Sequence, residues 1–317
     1  MNIEYNEMTV LENSGSGFVG IDSKLIKETM LSSIDKFIDE DELRKLLQEF
    51  VEFQSKDGFP FGELGVLHYN MFSDKENEEI YKIAAAIEIL VLAFDILDDL
   101  EDQDSEGEPW LIEKSSLVLN STTALIFLSL NIITNTDFEN KDTAINLFTK
   151  FALRSIHGQH KDLLNVCHSE DEYLDMTIEK SGSLVALACL MGTILATKKY
   201  LKEIELYSKY IGLVAQINND LEGIEDLNDI IHKKFSLPII YLLNSEKGKI
   251  LTEYYNNNLS KDDLINHQNN INKIFLESGA IIYTRVIKKL YQNKIKEQLS
   301  RLEVKEEYVK SLKNYIK

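Results

Sequence analysis

An all-α chain folded as one helical bundle is what this sequence predicts, and three observations carry the prediction. Helix breakers are sparse, with 3 Pro and 14 Gly in 317 residues, and each would disturb a helix interior. Apolar residues recur at three- and four-residue steps through Leu-, Ile-, Lys- and Glu-rich stretches, which is the period of one helix face. Strand-like segments do not alternate with helical ones, so a parallel sheet is not expected.

Residues 1–20 read as a loose leader centred on Ser14-Gly15-Ser16-Gly17. Gly15, Gly17 and Gly20 match the dinucleotide fingerprint G-x-G-x-x-G, but that motif works only between a strand and a helix, so a linker is the reading kept. Residues 21–317 read as a single all-α domain with no tandem repeat or internal linker. From Asp22, a first amphipathic helix carries Leu25, Ile26, Met30, Ile34 and Phe37, and a second carries Leu43, Leu46, Leu47 and Phe50. Asp57-Gly58-Phe59-Pro60-Phe61-Gly62 reads as a break, a long helix follows over about 77–102, and Asp104 to Pro109 forms a second break. Further helices are expected near 113–134, 140–165, 171–198, 202–223, 236–255, 262–292 and 294–316.

Lys and Arg total 34 against 53 Asp and Glu, a net charge of -19 that repels nucleic acid and anionic lipid headgroups. Met1 to Leu11 lacks a basic stretch before an apolar run, so no secretory signal is visible and a cytoplasmic location is expected. Cys167 and Cys189 are too few for a disulfide framework and read as reduced thiols. The apolar runs Ile87 to Leu97 and Leu184 to Ala196 fall short of the ~20 residues of a membrane span, so buried core helices without a transmembrane segment are expected.

The chemistry concentrates where the charges stop looking like surface. Asp95, Asp98, Asp99 and Asp102 stand at i, i+3, i+4 and i+7 at the end of the apolar helix, all on one side of it. Like charges one turn apart each cost an isolated helix ~0.2–0.5 kcal/mol, and a cation would remove that cost. Carboxylate oxygens without neighbouring Cys or His suit a hard ion such as Mg²⁺, which shares its shell with water and phosphate. A second oxygen-rich wall lies in Gln216 to Asp226, where Asn219, Gly223 and Asp226 share a face, with Gln216 beside them and Asp220 to one side. His157-x-x-His160 with Cys167 and His168 has no recognised zinc spacing. Trp110, after Pro109 at a helix start, reads as an anchor for that turn.

At this point the sequence resembles the trans-isoprenyl diphosphate synthases, with their class I terpene synthase fold. Their DDxxD motif appears as Asp98-Asp99-Leu100-Glu101-Asp102, after Ala84-Ala85-Ala86-Ile87-Glu88. Four further landmarks follow in family order: Gly158-Gln159-x-x-Asp162-Leu163, Lys180-Ser181-Gly182-x-Leu184, the Gln216 to Gly223 segment in place of the second aspartate-rich motif, and Lys234-x-Ser236-Leu237-Pro238. The likeness spans roughly residues 60–250.

The resemblance implies a site of three Mg²⁺ ions gripping an allylic diphosphate. Asp98 and Asp102 would ligate metal with Asp99 in support, Asn219, Asp220 and Asp226 would form the opposite metal wall, and Lys180 and Lys234 would bind diphosphate oxygens. Gln159, Asp162 and Gln216 would line the pocket or order waters. An allylic carbocation needs an apolar pocket, for which Phe94, Phe61 and Tyr69 are candidate liners. The departures matter equally. The family's Gly-Gly-Lys-x-x-Arg-Pro, which binds isopentenyl diphosphate, is replaced here by Phe61-Gly62-Glu63-Leu64-Gly65-Val66-Leu67-His68, and its Arg-Arg-Gly after the first motif by a stretch holding Glu106, Glu108 and Trp110. A second diphosphate beside Glu63, Glu106 and Glu108 would lack compensating cations, so a neutral acceptor is expected.

Within the family the combination is most similar to the ComQ branch, which prenylates a tryptophan in the precursor of a quorum-sensing peptide pheromone. This likeness rests on Phe94 to Asp102 running on to Pro109-Trp110, on His157-Gly158-Gln159-His160-x-Asp162-Leu163-Leu164-Asn165, on Lys180-Ser181-Gly182-Ser183-Leu184 and on Asn219-Asp220-x-x-Gly223. It implies a geranyl or farnesyl donor and a peptide acceptor. A terpene cyclase is the rival, although Gly223 and Leu227 stand where its metal-binding pattern carries serine and glutamate. A further rival is an inactive binding subunit, which the whole DDLED motif opposes. Pairing of two copies is an expectation from fold analogy alone.

Overall fold

The computed structural model describes residues 21–73, 75, 77–102, 107–224 and 227–316, without the side chains of Asp102 and Asn228. The leader expected over 1–20, and Asp226, lie outside the described residues. No strand occurs among those described, and the architecture is the expected bundle of helices. Helices α1 (Ser23–Phe37) and α2 (Asp41–Gln54) follow the predicted periodicity. Asp22 caps α1 by accepting from the backbone N–H groups of Lys24 and Leu25, and Glu40 does the same for α2.

The break expected around Pro60 is instead the start of α3 (Pro60–Phe72). Proline at the first helical position lacks only an N–H that would have no partner in the helix. The glycines that read as breakers serve packing: a Cβ on Gly62 would come within 3.1 Å of the Ala84 carbonyl oxygen. That oxygen belongs to α4 (Glu79–Asp102), the long helix the apolar run predicts. After it come α5 (Pro109–Ile112), α6 (Ser115–Thr134) and α7 (Lys141–Leu163).

The stretch expected as one helix over 171–198 is α8 (Glu170–Thr177), a π-helical turn (Ile178–Gly182) and α9 (Ser183–Thr197). Helix α10 (Lys202–Glu222) matches its expectation, and the short α11 (Asn228–Ile231) follows. The helix expected over 236–255 divides into α12 (Leu237–Leu243) and α13 (Lys249–Tyr255). The division falls at Gly248, where a Cβ would sit 1.9 Å from the Leu242 carbonyl oxygen. The stretches expected as helices over 262–292 and 294–316 are divided elsewhere, into α14 (Lys261–Asn266), α15 (Gln268–Ser278) and α16 (Ala280–Ser300), which runs through the expected boundary, with Gly279 at φ +92° making the turn between the last two. Helix α17 (Glu306–Leu312) ends the bundle.

Helices α3, α4, α9 and α10 form the centre. Their interior is one continuous apolar core, and a smaller cluster under α12 to α15 gathers Leu242, Leu251, Leu264 and Phe275. Two helical segments, Ser115–Thr134 and Glu170–Thr197, are long and apolar enough by length and composition to cross a membrane, which the shorter runs picked out in the sequence were not. In the second, 72% of the apolar window is buried inside the bundle, as a core helix requires; in the first the share is 44%.

Candidate active site

The C-terminal half of α4 delivers the acidic motif because its upper turns are anchored. Ala84, Ala85, Ala86, Ile87 and Leu90 are buried among α3, α6 and α9, and the next two turns emerge into a cleft of about 580 Å³. Phe94, Asp95, Asp98 and Glu101 line that cleft from α4. Gln216, Asn219 and Asp220 line it from α10, and Asp229 and Lys234 from the segment that follows. The two oxygen-bearing walls expected from the sequence therefore share one cleft. Asp102 ends α4, and its side chain lies outside the described residues.

Lys180 links the acidic wall on α4 to α7. Its Nζ donates to Asp162 Oδ2 at 2.8 Å and to Asp98 Oδ1 at 3.2 Å. Burial works to lower its pKa, but the Asp162 and Asp98 carboxylates outweigh burial and raise it, so the ammonium is held charged. The side chain reaches both because the π turn that carries it lies against α7 and α10 at backbone contact. A Cβ on Gly158 would meet the Lys180 backbone nitrogen at 2.2 Å, and one on Gly212 would meet Gly182 Cα at 2.7 Å. Only glycine fits such approaches, and π turns of this kind recur at functional sites. Ser155 Oγ donates to the Lys180 carbonyl oxygen at 2.8 Å and completes the clamp. Gly158→Ala is therefore expected to destabilise the fold by about 3 kcal/mol through overpacking; a thermal melt within a degree of wild type would contradict this account of the contact.

The acidic wall is crowded. Protein packed around Asp95, then the neighbouring Asp98 and Asp99 charges, push its pKa up to about 7, while Lys180 pulls the other way. The cleft still leaves the Asp95 side chain in contact with solvent. Gln159 donates through Nε2 to Glu101 Oε2 at 2.9 Å, while its Oε1 is buried with no hydrogen-bond partner. Among the described residues no three His, Cys, Asp or Glu side chains converge on a metal-sized point. That excludes a zinc-like site closed by protein there, and His157 and His160 are exposed. Mg²⁺ makes a smaller demand: one or two carboxylates, with waters and phosphate completing its shell. The all-oxygen donor set, the surplus of negative charge and the orphaned Gln159 oxygen fit that ion.

Asp220 behaves differently from Asp98. It is 5% exposed, its Oδ2 accepts from Tyr173 Oη at 2.6 Å and from the Leu237 backbone N–H at 3.1 Å, and its Oδ1 accepts from Gln216 Nε2 at 3.1 Å. Burial raises its pKa to about 6 against the lowering effect of these bonds. A metal at Asp220 would compete with three donors that tie α10 to α8 and to the start of α12. The same tie steadies the loop carrying Lys234, whose carbonyl oxygen accepts from Tyr255 Oη at 2.6 Å. Asn165 Nδ2 holds the adjoining Lys233 carbonyl oxygen at 2.8 Å.

Phe61, Phe94, Ile126 and Leu184 give the cleft an apolar side. Tyr69, expected beside them, is buried edge-on to Phe138 at 5.8 Å instead, because α3 turns it toward the core. Where the resemblance places a second diphosphate, this chain bonds to itself. The Gly62 backbone N–H donates to Glu88 Oε1 at 2.5 Å, and full burial pushes Glu88 up to about 8. Ser23 Oγ and Tyr315 Oη donate to the two oxygens of Glu63, at 2.5 and 2.9 Å.

Sequence reasoning left three participants out of the proposed site. Asp229 lies on a short separate helix, with its Oδ2 3.4 Å from where a Gly223 Cβ would be, and no periodic pattern announced it. Tyr173 gave no signal. Glu88 did give one, a lone acid inside Ala84 to Leu92, although it was read only as part of a motif.

The polyprenyl synthetase family model matches residues 40–271. The chain is 35% identical over 291 residues to tryptophan prenyltransferase ComQ of Bacillus subtilis subsp. natto (strain BEST195), covering 90% of each. It is 32% identical over 267 residues to tryptophan prenyltransferase ComQ of Bacillus spizizenii, covering 83% of this chain and 94% of that one. In fold it is similar to the crystal structure of polyprenyl synthetase from Streptomyces coelicolor A3(2), with a TM-score of 0.80 at 18% identity over 92% of this chain and 96% of that one.

Proposed function

The chain belongs to the polyprenyl synthetase family, in its ComQ-type branch, and we propose from that membership that it transfers a geranyl or farnesyl group from an allylic diphosphate to a tryptophan of a peptide pheromone precursor. The observation that carries this reading is an asymmetry of the cations. One diphosphate finds Lys180 and Lys234 in the cleft, while the stretch from Phe61 to His68, where the resemblance would put a second diphosphate's cations, holds no Lys or Arg and its Glu63 is bonded to the chain itself. A neutral acceptor suits that arrangement and a second diphosphate does not.

Mg²⁺, three ions in this reading, would be held by Asp98 and Asp102 on one wall and Asn219, Asp226 and Asp229 on the other, and would neutralise charge on the leaving diphosphate. Lys180 and Lys234 bind diphosphate oxygens as compact point charges, held in place beforehand by the glycine contacts and by the Asn165 and Tyr255 bonds. Such preorganised charge acts where the transition state develops it. Phe94 and Phe61 keep water from the allylic cation. The carbon–oxygen bond to diphosphate breaks, an indole ring atom supplies the electron pair for its new bond to the allylic carbon, and the proton the indole loses passes to the released diphosphate.

The test incubates the protein, Mg²⁺ and either geranyl or farnesyl diphosphate with a tryptophan-containing candidate precursor peptide, followed by mass spectrometry. A peptide heavier by one prenyl group is expected. A volatile hydrocarbon formed without peptide would establish the cyclase instead, and elongation of the donor with isopentenyl diphosphate would overturn the neutral-acceptor reading.

A further inference from the structure

We infer that Trp110 is a positioning residue for the aspartate-rich end of α4, acting through Asp99. Its indole Nε1–H donates to Asp99 Oδ2 at 2.7 Å. The indole is 5% exposed and stands edge-on to Phe50 at 5.6 Å and to Phe53 at 5.3 Å, both on α2. A donor-only group in a rigid aromatic socket can accept nothing in exchange and can turn nowhere else. Asp98, Asp95 and Glu101 line the cleft, whereas Asp99 does not. Consecutive helical residues point about 100° apart, so the bond to Trp110 fixes the roll of the helix end. It thereby sets where Asp98 faces.

The same bond disposes of a charge. Asp99 raises the pKa of Asp95 by repulsion, and an N–H aimed at its carboxylate draws that charge toward α5 and away from the cleft. Bonds to ionised acceptors are among the stronger hydrogen bonds. Trp110 is also the single tryptophan of the chain, so its emission reports on the bond directly.

The inference rests on the reading that the cleft takes Mg²⁺ and a diphosphate, and one experiment separates the two. Calorimetry on the full chain measures binding of inorganic pyrophosphate in the presence of Mg²⁺ for wild type, Trp110→Phe, Asp99→Ala and the double variant. Phenylalanine keeps most of the packing and removes the donor. Trp110→Phe is expected to weaken pyrophosphate binding roughly ten-fold, the scale of one charge-assisted hydrogen bond, with little change in melting temperature. The double variant is expected to bind no more weakly than Asp99→Ala alone. Pyrophosphate with Mg²⁺ is expected to shift tryptophan emission in wild type and to leave it unmoved in Asp99→Ala.

Wild-type affinity in Trp110→Phe, or losses that add fully in the double variant, would overturn the positioning role while wild-type binding upholds the cleft. Failure of wild type to bind pyrophosphate at all would overturn the cleft reading and this inference with it. Should Trp110→Phe not fold, the emission comparison decides: an equal shift in wild type and Asp99→Ala overturns the role.

Discussion

Replacing Asp98 with alanine is expected to slow prenyl transfer by about 10²–10³-fold, the usual loss when one preorganised charge-stabilising group is deleted. Asp98 touches both halves of the proposed machinery: it lines the cleft as a carboxylate and holds Lys180 at 3.2 Å. Its loss removes a metal-holding group and leaves Lys180 to its 2.8 Å bond with Asp162. The side chain is a third exposed, so the fold should survive, and a circular dichroism melt close to wild type would separate a catalytic loss from an unfolded one. Single-turnover transfer to the peptide is the measurement, and an undiminished rate would refute the role given to this wall.

Lys180→Met should cost about as much, roughly 10²-fold, by a different route. Methionine keeps the unbranched apolar stem, so the glycine-lined contact under the residue is undisturbed, but the charge that would meet the diphosphate disappears. It also leaves Asp98 and Asp162 facing each other across the cleft. The pH behaviour is a further check on the same residue. Because the folded-state pKa is raised, the ammonium's contribution is complete below the ordinary lysine value and fades only above it, as pH rises through the higher folded value. A rate profile of the wild-type protein should therefore show no lysine-linked loss near neutrality, and a loss of charge there would contradict the ion-pair account.

The bundle was legible because its helices bury one face each, and a period of 3.6 records that burial. The acidic wall was legible in part for the same reason: Asp95 and Asp98 share a helix side and line the cleft, while Asp99, placed on that side by its spacing, turns to Trp110 instead. What stayed hidden depends on contacts between distant segments. Pro60, Gly62 and Gly65 carry opposite meanings in a loop and in a helix start packed against α4, and sequence statistics favour the first. The π turn at Lys180 exists because α7 and α10 approach it through Gly158 and Gly212, and no local propensity encodes that. Asp220 and Asp229 both line the cleft, yet nothing local in the sequence tells that Asp220 is engaged by Tyr173, Leu237 and Gln216 or that Asp229 reaches the cleft from a short helix of its own.

Glu63 has one more consequence, for anyone who handles the protein. Its two oxygens are claimed by Ser23, on the first helix described, and by Tyr315, close to the far end of the chain. The first and last helical segments described thus converge on a single side chain. Substitutions at Ser23 or Tyr315 are therefore not remote edits: each strips a donor from the same carboxylate.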